Sequence, residues 1–228
     1  MTRTPSVVDS PRVVTPKEWL AARKELLAKE KDFTHQREAL AAARRQMPAV
    51  KVEKNYVFDG PRGALSLRDL FEGRRQLIIY HLMFEPTRKT ACKHCSCVMD
   101  NIAGTLIHLT ARDTSFAAVS RAPIEKIEAF KNRMKWDFTW VSCFENDFNY
   151  DYQVTLDPEK GYSTHNYRPF DFRGELPGLS VFSQRRRRDP PQLLDVPAGD
   201  RRVPPDIPPP RRDATRSPGG QVEQHGRR

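Results

Sequence analysis

The sequence predicts an α/β fold, a central mixed sheet flanked by helices, with a helical extension before it and a disordered tail after it. Three observations carry this expectation. Gln76 to Phe84 (QLIIYHLMF) is an uninterrupted apolar segment of strand length, the pattern of a strand covered on both faces. Behind it strand and helix patterns alternate twice, which implies parallel crossovers. On either side the composition changes: residues 16–50 are dense in Ala, Lys, Glu and Arg, and nine of the nineteen prolines fall after Arg185. The expected organisation is a disordered stretch over 1–15, a helical extension over 16–50, one domain over 51–184 and a tail over 185–228.

Taken in order, Thr15-Pro16-Lys17-Glu18 reads as a capping box with Pro at the first helical position. The helix it opens runs through Trp19, Leu20, Leu26, Leu27 and Leu40 to Met47 and stops at Pro48. Asn55 to Phe58 reads as a strand closed by the turn Asp59-Gly60-Pro61. Ser66 caps a short helix from Leu67 to Phe71. After the buried strand Gln76 to Phe84 comes one helix from about Cys95 to Leu109. A second buried strand follows from Thr114 to Ser120, then a helix opened by Ala122-Pro123 and running to about Lys135. Phe138 to Cys143 is a third strand, and Trp136 and Trp140, with Phe138 between them, alternate as a strand requires and read as core residues. Asp147 to Tyr152 is an acidic, aromatic run, read as a hydrogen-bonded loop rather than a partner groove. Leu156 to Gly174 is loop-like, and Leu179 to Phe182 gives a fourth strand behind Pro177-Gly178.

Length and composition bound the function. At 228 residues with 38% apolar content, the chain holds one or two domains. No apolar run reaches the roughly 20 residues needed to span a bilayer, and Met1 to Pro16 lacks the apolar region of a secretory signal. The expectation is a cytoplasmic protein without a membrane partner. The formal charge is +10, but from Arg185 onward eleven arginines stand against six acidic residues with no aromatic side chain. Base stacking is unavailable there, so nucleic acid is not the expected partner.

Chemistry concentrates at Cys92-Lys93-His94-Cys95, between a buried strand and a helix. A cysteine at a helix N-terminus meets unpaired N–H groups and the positive end of the dipole, which favour the reactive thiolate. A second cysteine one turn on can attack a mixed disulfide and release the product. Cys92 is therefore the candidate nucleophile, Cys95 the resolving thiol, and basic Lys93 and His94 the residues that lower the thiol pKa. A zinc site over Cys92, His94, Cys95 and Cys97 lacks the second, separated ligand pair that such sites draw on, so neither metal nor organic cofactor is expected. Cys97 and Cys143 read as small core residues. His108 and Asp113, at the far end of the helix and past it, read as structural.

Several of these residues also carry a resemblance. Met83-Phe84, Cys92-x-x-Cys95-Ser96, Asp100, Gly104, His108-Leu109-x-x-Arg112-Asp113, Ser120-Arg121-Ala122-Pro123, Lys126-Ile127, Phe130-Lys131, Trp136, Trp140 and Asp147-Phe148-Asn149-Tyr150-Asp151 resemble the bacterial "domain of unknown function eight-nine-nine" family, a branch of the thioredoxin-like proteins. The match is collinear from about Val14 to Phe182. It implies a thioredoxin-like fold and assigns Cys92 and Cys95 the same two roles, without a settled reaction. Between its cysteines that family commonly carries small or proline-containing pairs where this chain has Lys93-His94, and Cys97 replaces an aromatic or aliphatic residue. In a thioredoxin-like fold a cis proline faces the redox pair from the position of Pro177; the alternative is an ordinary trans turn residue.

Past Phe182 the resemblance stops. The family continues with a strand and a terminal helix, whereas this chain turns to RRRRDPP and further Pro/Arg-rich sequence that cannot bury enough apolar surface to fold. Read from the second base of each codon, the tail permits the family's residues repeatedly, which suggests a reading frame slipped by one nucleotide near Gln184. The competing reading is a native basic arm. If the frame has slipped, an edge strand and a covering helix are lost and an unpaired strand edge is exposed. The expected function is a thiol-disulfide oxidoreductase acting on a protein or small-molecule disulfide. The alternatives are a thiol peroxidase-like activity or a thioredoxin-like binding module with vestigial cysteines.

Overall fold

A computed structural model describes residues 12–185 and 192–196. It divides into two units, one ending at Pro48 and the other beginning at Ala49. The first is the helix α1 (Pro16–Gln46), opened by the expected capping box. The Glu18 amide donates to Thr15 Oγ1 at 3.3 Å and the Thr15 amide to the Glu18 carboxylate at 2.9 Å, so two amides at the helix start are satisfied reciprocally. None of its residues is buried.

The second unit begins with β1 (Val50–Lys51), the hairpin β2 (Val57–Gly60) and β3 (Gly63–Ser66), and the central β4 (Gln76–His81). Helices α2 (Lys93–Asp100) and α3 (Ala103–Thr110) lead to β5 (Thr114–Ser120), and α4 (Ile124–Met134) leads to β6 (Thr139–Ser142). The one-turn α5 (Phe148–Asp151) follows, with the two-residue strands β7 (Thr155–Leu156), β8 (Thr164–His165), β9 (Arg168–Pro169) and β10 (Gly174–Glu175). The chain then enters β11 (Gly178–Arg185) and β12 (Gln192–Val196).

The main sheet runs β1-β12-β11-β4-β5-β6-β2-β3. Strands β4, β5 and β6 are parallel, and β11 pairs antiparallel with β4 and with β12. A parallel strand–helix–strand unit followed by an antiparallel pair on its other side is the thioredoxin-like arrangement that the resemblance implies.

Strand periodicity splits the core in two. Leu77, Ile79 and His81 of β4 face the side that holds Phe58, Phe71, Phe148 and Phe182. Tyr80, Leu82 and Phe84 face the side that holds Cys95, Met99, Ile127, Phe130 and Trp140. Because both sides are covered, β4 has no polar face to give the sequence an alternating pattern.

Several elements differ from expectation, among them the one-turn α5 within the run read as a loop and β2, which extends through Asp59 and Gly60. The single helix expected from Cys95 to Leu109 is broken at Asn101, whose side-chain amide donates to the Cys97 carbonyl at 2.7 Å; such local bonds compete with the helical ladder. Gly63–Ser66 forms a strand, because Pro61-Arg62 makes a tight hairpin turn that sets Gly60 opposite Gly63. Within the stretch expected as tail, Gln192–Val196 forms β12, which pairs with both β11 and β1. The edge of β11 is thereby covered. The proposed frame slip otherwise concerns residues 186–191 and 197–228, which lie outside the described residues, as do residues 1–11. No described helix is long and apolar enough to cross a membrane.

Candidate active site

Cys92 is the N-cap of α2, with extended backbone at φ −60° and ψ 131°. Its carbonyl accepts from the Ser96 amide at 2.9 Å and the Ser96 hydroxyl at 3.0 Å, and its own amide donates to the Met83 carbonyl at 2.9 Å. The cysteine loop is thus closed onto the end of the central strand. The sulfur is left at the helix N-terminus among unpaired amides.

The electrostatics follow from that position. The Cys95 thiol donates to Cys92, and the amides of Cys95 and His94, with the His94 side chain, also stabilise its thiolate. Against the opposing cost of burial, these hold Cys92 at about 5, well below its ordinary 9.0. Cys95 moves the other way. Its proton is held by the hydrogen bond to Cys92, and burial adds to the effect, so its thiol stays protonated far above the usual range although the Met83 amide points at its sulfur. Cys92 is half-buried and Cys95 buried. The pair therefore consists of one thiolate open to reagents and one interior thiol, with no disulfide between them.

Cys92, His94 and Cys95 lie together at the start of α2, whereas Lys93 is exposed and is not among the groups that act most strongly on Cys92. Of the two forms left open for Pro177 the trans one is found, since the described residues contain no cis peptide. The trans form is favoured intrinsically by about 0.5–1 kcal/mol. Here the Leu176 amide bonds to the Val154 carbonyl, and Gly178 pairs directly with His81, so the chain enters β11 without a reversal. A side chain at Gly178 would meet Val154 at 2.6 Å, which explains the glycine.

Cys97 is half-buried on α2, and Cys143, fully buried beyond β6, has its thiol pushed up by burial. His108 is exposed, and Asp113 binds the Arg75 backbone and guanidinium. Trp136 donates to Asp100 at 2.8 Å and Trp140 to Ser120 at 2.9 Å. The acidic run closes on Lys54, which bridges Asp147 and Asp151, and on the Tyr56 hydroxyl, which donates to Asp151 at 2.8 Å.

Two buried polar side chains of β4 were not singled out from the sequence. His81 is bound through its ring nitrogens to Asn149 and Ser180, each at 2.9 Å. Tyr80 lies on the cysteine side, its hydroxyl turned toward Cys95 but short of a formed hydrogen bond. The available signal was a phenol in an otherwise aliphatic strand buried on both faces. Its even spacing from Leu82 and Phe84 sets all three on one side.

No curated protein matches the sequence. Among solved structures, the chain is similar to a cysteine-to-serine mutant of peroxiredoxin Q from Xylella fastidiosa, at 13% identity and a TM-score of 0.45 over 59% of this chain and 77% of that one. A cysteine-to-serine mutant of Xanthomonas campestris peroxiredoxin Q gives 15% identity and a TM-score of 0.42 over 56% and 73%. Peroxidoxin BcpB of Mycobacterium tuberculosis gives 12% and 0.41 over 59% and 76%. A family model described as a bacterial protein of unknown function, DUF899, matches residues 8–189. This span contains the sheet up to β11 and the whole cysteine site, and the chain belongs to that family.

Proposed function

We propose that the protein is a thiol-disulfide oxidoreductase in which Cys92 attacks a protein or small-molecule disulfide and Cys95 resolves the mixed disulfide. The observation that carries this reading is the asymmetry of the pair. Cys92 is a half-buried thiolate held at about 5 by the hydrogen bond from Cys95 and then by the helix N-terminal amides, while Cys95 is an interior thiol beside it. A thiolate at neutral pH is the attacking species, and a neighbour kept protonated until the second step prevents the two from competing. No cofactor enters the exchange.

The test is turnover of a model disulfide by three chains. Cys92→Ser is expected to abolish thiol release, and Cys95→Ser to release one equivalent and stop as a covalent mixed disulfide visible by mass spectrometry. Turnover surviving in Cys92→Ser rejects the assignment. A wild-type chain that releases no thiol would favour the binding module with vestigial cysteines. The same first thiolate could open a peroxide O–O bond to give a sulfenic acid, which Cys95 would convert to a disulfide with loss of water. Trapping a sulfenic acid in Cys95→Ser after peroxide treatment would extend the reading to that substrate class.

A further inference from the structure

The hydroxyl of Tyr80 has no role in the exchange as described. Tyr80 is 4% exposed and packs on the side of β4 that holds Leu82, Phe84, Ala91, Cys95 and Met99. Its oxygen is sealed from solvent and makes no formed hydrogen bond. A desolvated hydroxyl without a partner is costly, and an exception of this kind calls for an explanation. Burial keeps the phenol protonated far above its ordinary range. The nearby Cys95 sulfur and the charge on Cys92 act in the same direction.

We propose that the Tyr80 O–H is the hydrogen-bond donor that stabilises the Cys95 thiolate during resolution, so that the hydroxyl unpartnered in the reduced pair is satisfied in the second step. This rests on the oxidoreductase reading. In the reduced pair the Cys95 proton is directed at the Cys92 thiolate, and Tyr80 faces a neutral thiol, a weak acceptor. Once Cys92 is bonded to the substrate sulfur it no longer holds that proton. Attack by Cys95 then requires the Sγ–H proton to leave for the departing thiolate while charge gathers on a buried sulfur. A donor fixed by the central strand at that sulfur acts where the charge develops. The phenol donates and does not accept the proton.

The balance is R–S–S–R + Cys92–S⁻ + Cys95–SH giving Cys92–S–S–Cys95 + RS⁻ + RSH. The disulfide substrate gains two electrons and the cysteine pair loses two. When an external thiol later reduces the pair, the same donor stabilises Cys95 as the leaving thiolate.

The experiment uses the full chain carrying Tyr80→Phe, with an aromatic disulfide whose two thiols are released in separate, coloured steps. Alkylation of Cys92 by iodoacetamide between about pH 4 and about pH 8 should match wild type within about twofold. The urea midpoint should hold or rise, because the variant removes an unsatisfied hydroxyl and leaves no group unpaired. The mixed disulfide should persist at least about tenfold longer, the direction expected when one preorganised donor is lost. Release of the second thiol at the wild-type rate overturns the proposal, as does slowing of both steps in equal proportion. Absence of the first release from the wild-type chain would remove the oxidoreductase reading itself. If Tyr80→Phe does not fold, Tyr80→Met is read by the same two rates, and failure of both to fold would show the hydroxyl to be structural.

Discussion

At the scale of single residues, the low pKa of Cys92 is a statement about folding as well as reactivity. The unfolded thiol binds its proton up to about 9.0 and the folded one only up to about 5. Between those values the unfolded state holds more protons, so stability rises with pH across the window. The contribution is fully present above 9 and is lost as pH falls through 5. Cys95 acts oppositely: its folded thiol keeps a proton that the unfolded one loses, so above the ordinary thiol range it subtracts stability. Ultraviolet thiolate absorbance should show one thiolate appearing with a midpoint near 5, absent from Cys92→Ser. A midpoint at or above about 8.5 would refute the geometry described for the site. Much of this was legible, because a cysteine opening a helix receives amides by construction. The Cys95 donor and the Tyr80 hydroxyl were not. They depend on which face of a strand buried on both sides lies under the cysteine loop, and such a strand shows no alternation from which to read it.

At the scale of elements, α2 is short and needs an anchor at its far end. Its last residue, Asp100, supplies one by accepting the indole N–H of Trp136, a mostly buried side chain just past α4. The contact fixes the C-terminus of the helix whose N-terminus holds Cys92. Asp100→Ala leaves the indole donor without its acceptor and should cost about 1–2 kcal/mol in urea unfolding, whereas Asp100→Asn keeps a carbonyl acceptor and should cost less than half of that. Equal losses in the two variants would show that the hydrogen bond contributes little. Asp100 stood out in the sequence only as part of the resemblance, and Trp136 otherwise only as a core residue. Their pairing across 36 positions is a product of the fold. The break at Asn101 was invisible for a related reason: Asn is unremarkable in a helix until its side chain takes the i−4 carbonyl.

For the whole molecule, the question is what closes the sheet beyond β11. A composition averaged over the residues after Arg185 is rich in proline and arginine, and it hides the five residues Gln192–Val196, which need only pair at an edge. In that strand Leu193 packs against the core that holds Leu77, Ile79 and Phe182, and its carbonyl accepts the Val52 amide at 2.9 Å. Val50 and Lys51 pair with Asp195 and Leu194, so the strand is held from both sides. Without it, the long β11 would present a row of free N–H and C=O groups beside an uncovered apolar face, which is a template for association. Leu193→Asp tests the dependence, because a carboxylate at that contact must be desolvated or the strand must leave. The variant should unfold about 2–3 kcal/mol more easily than wild type. Light scattering at matched concentration should rise as β11 becomes available. Unchanged stability and scattering would mean that β12 contributes nothing, and that the sheet is closed on this side by other means.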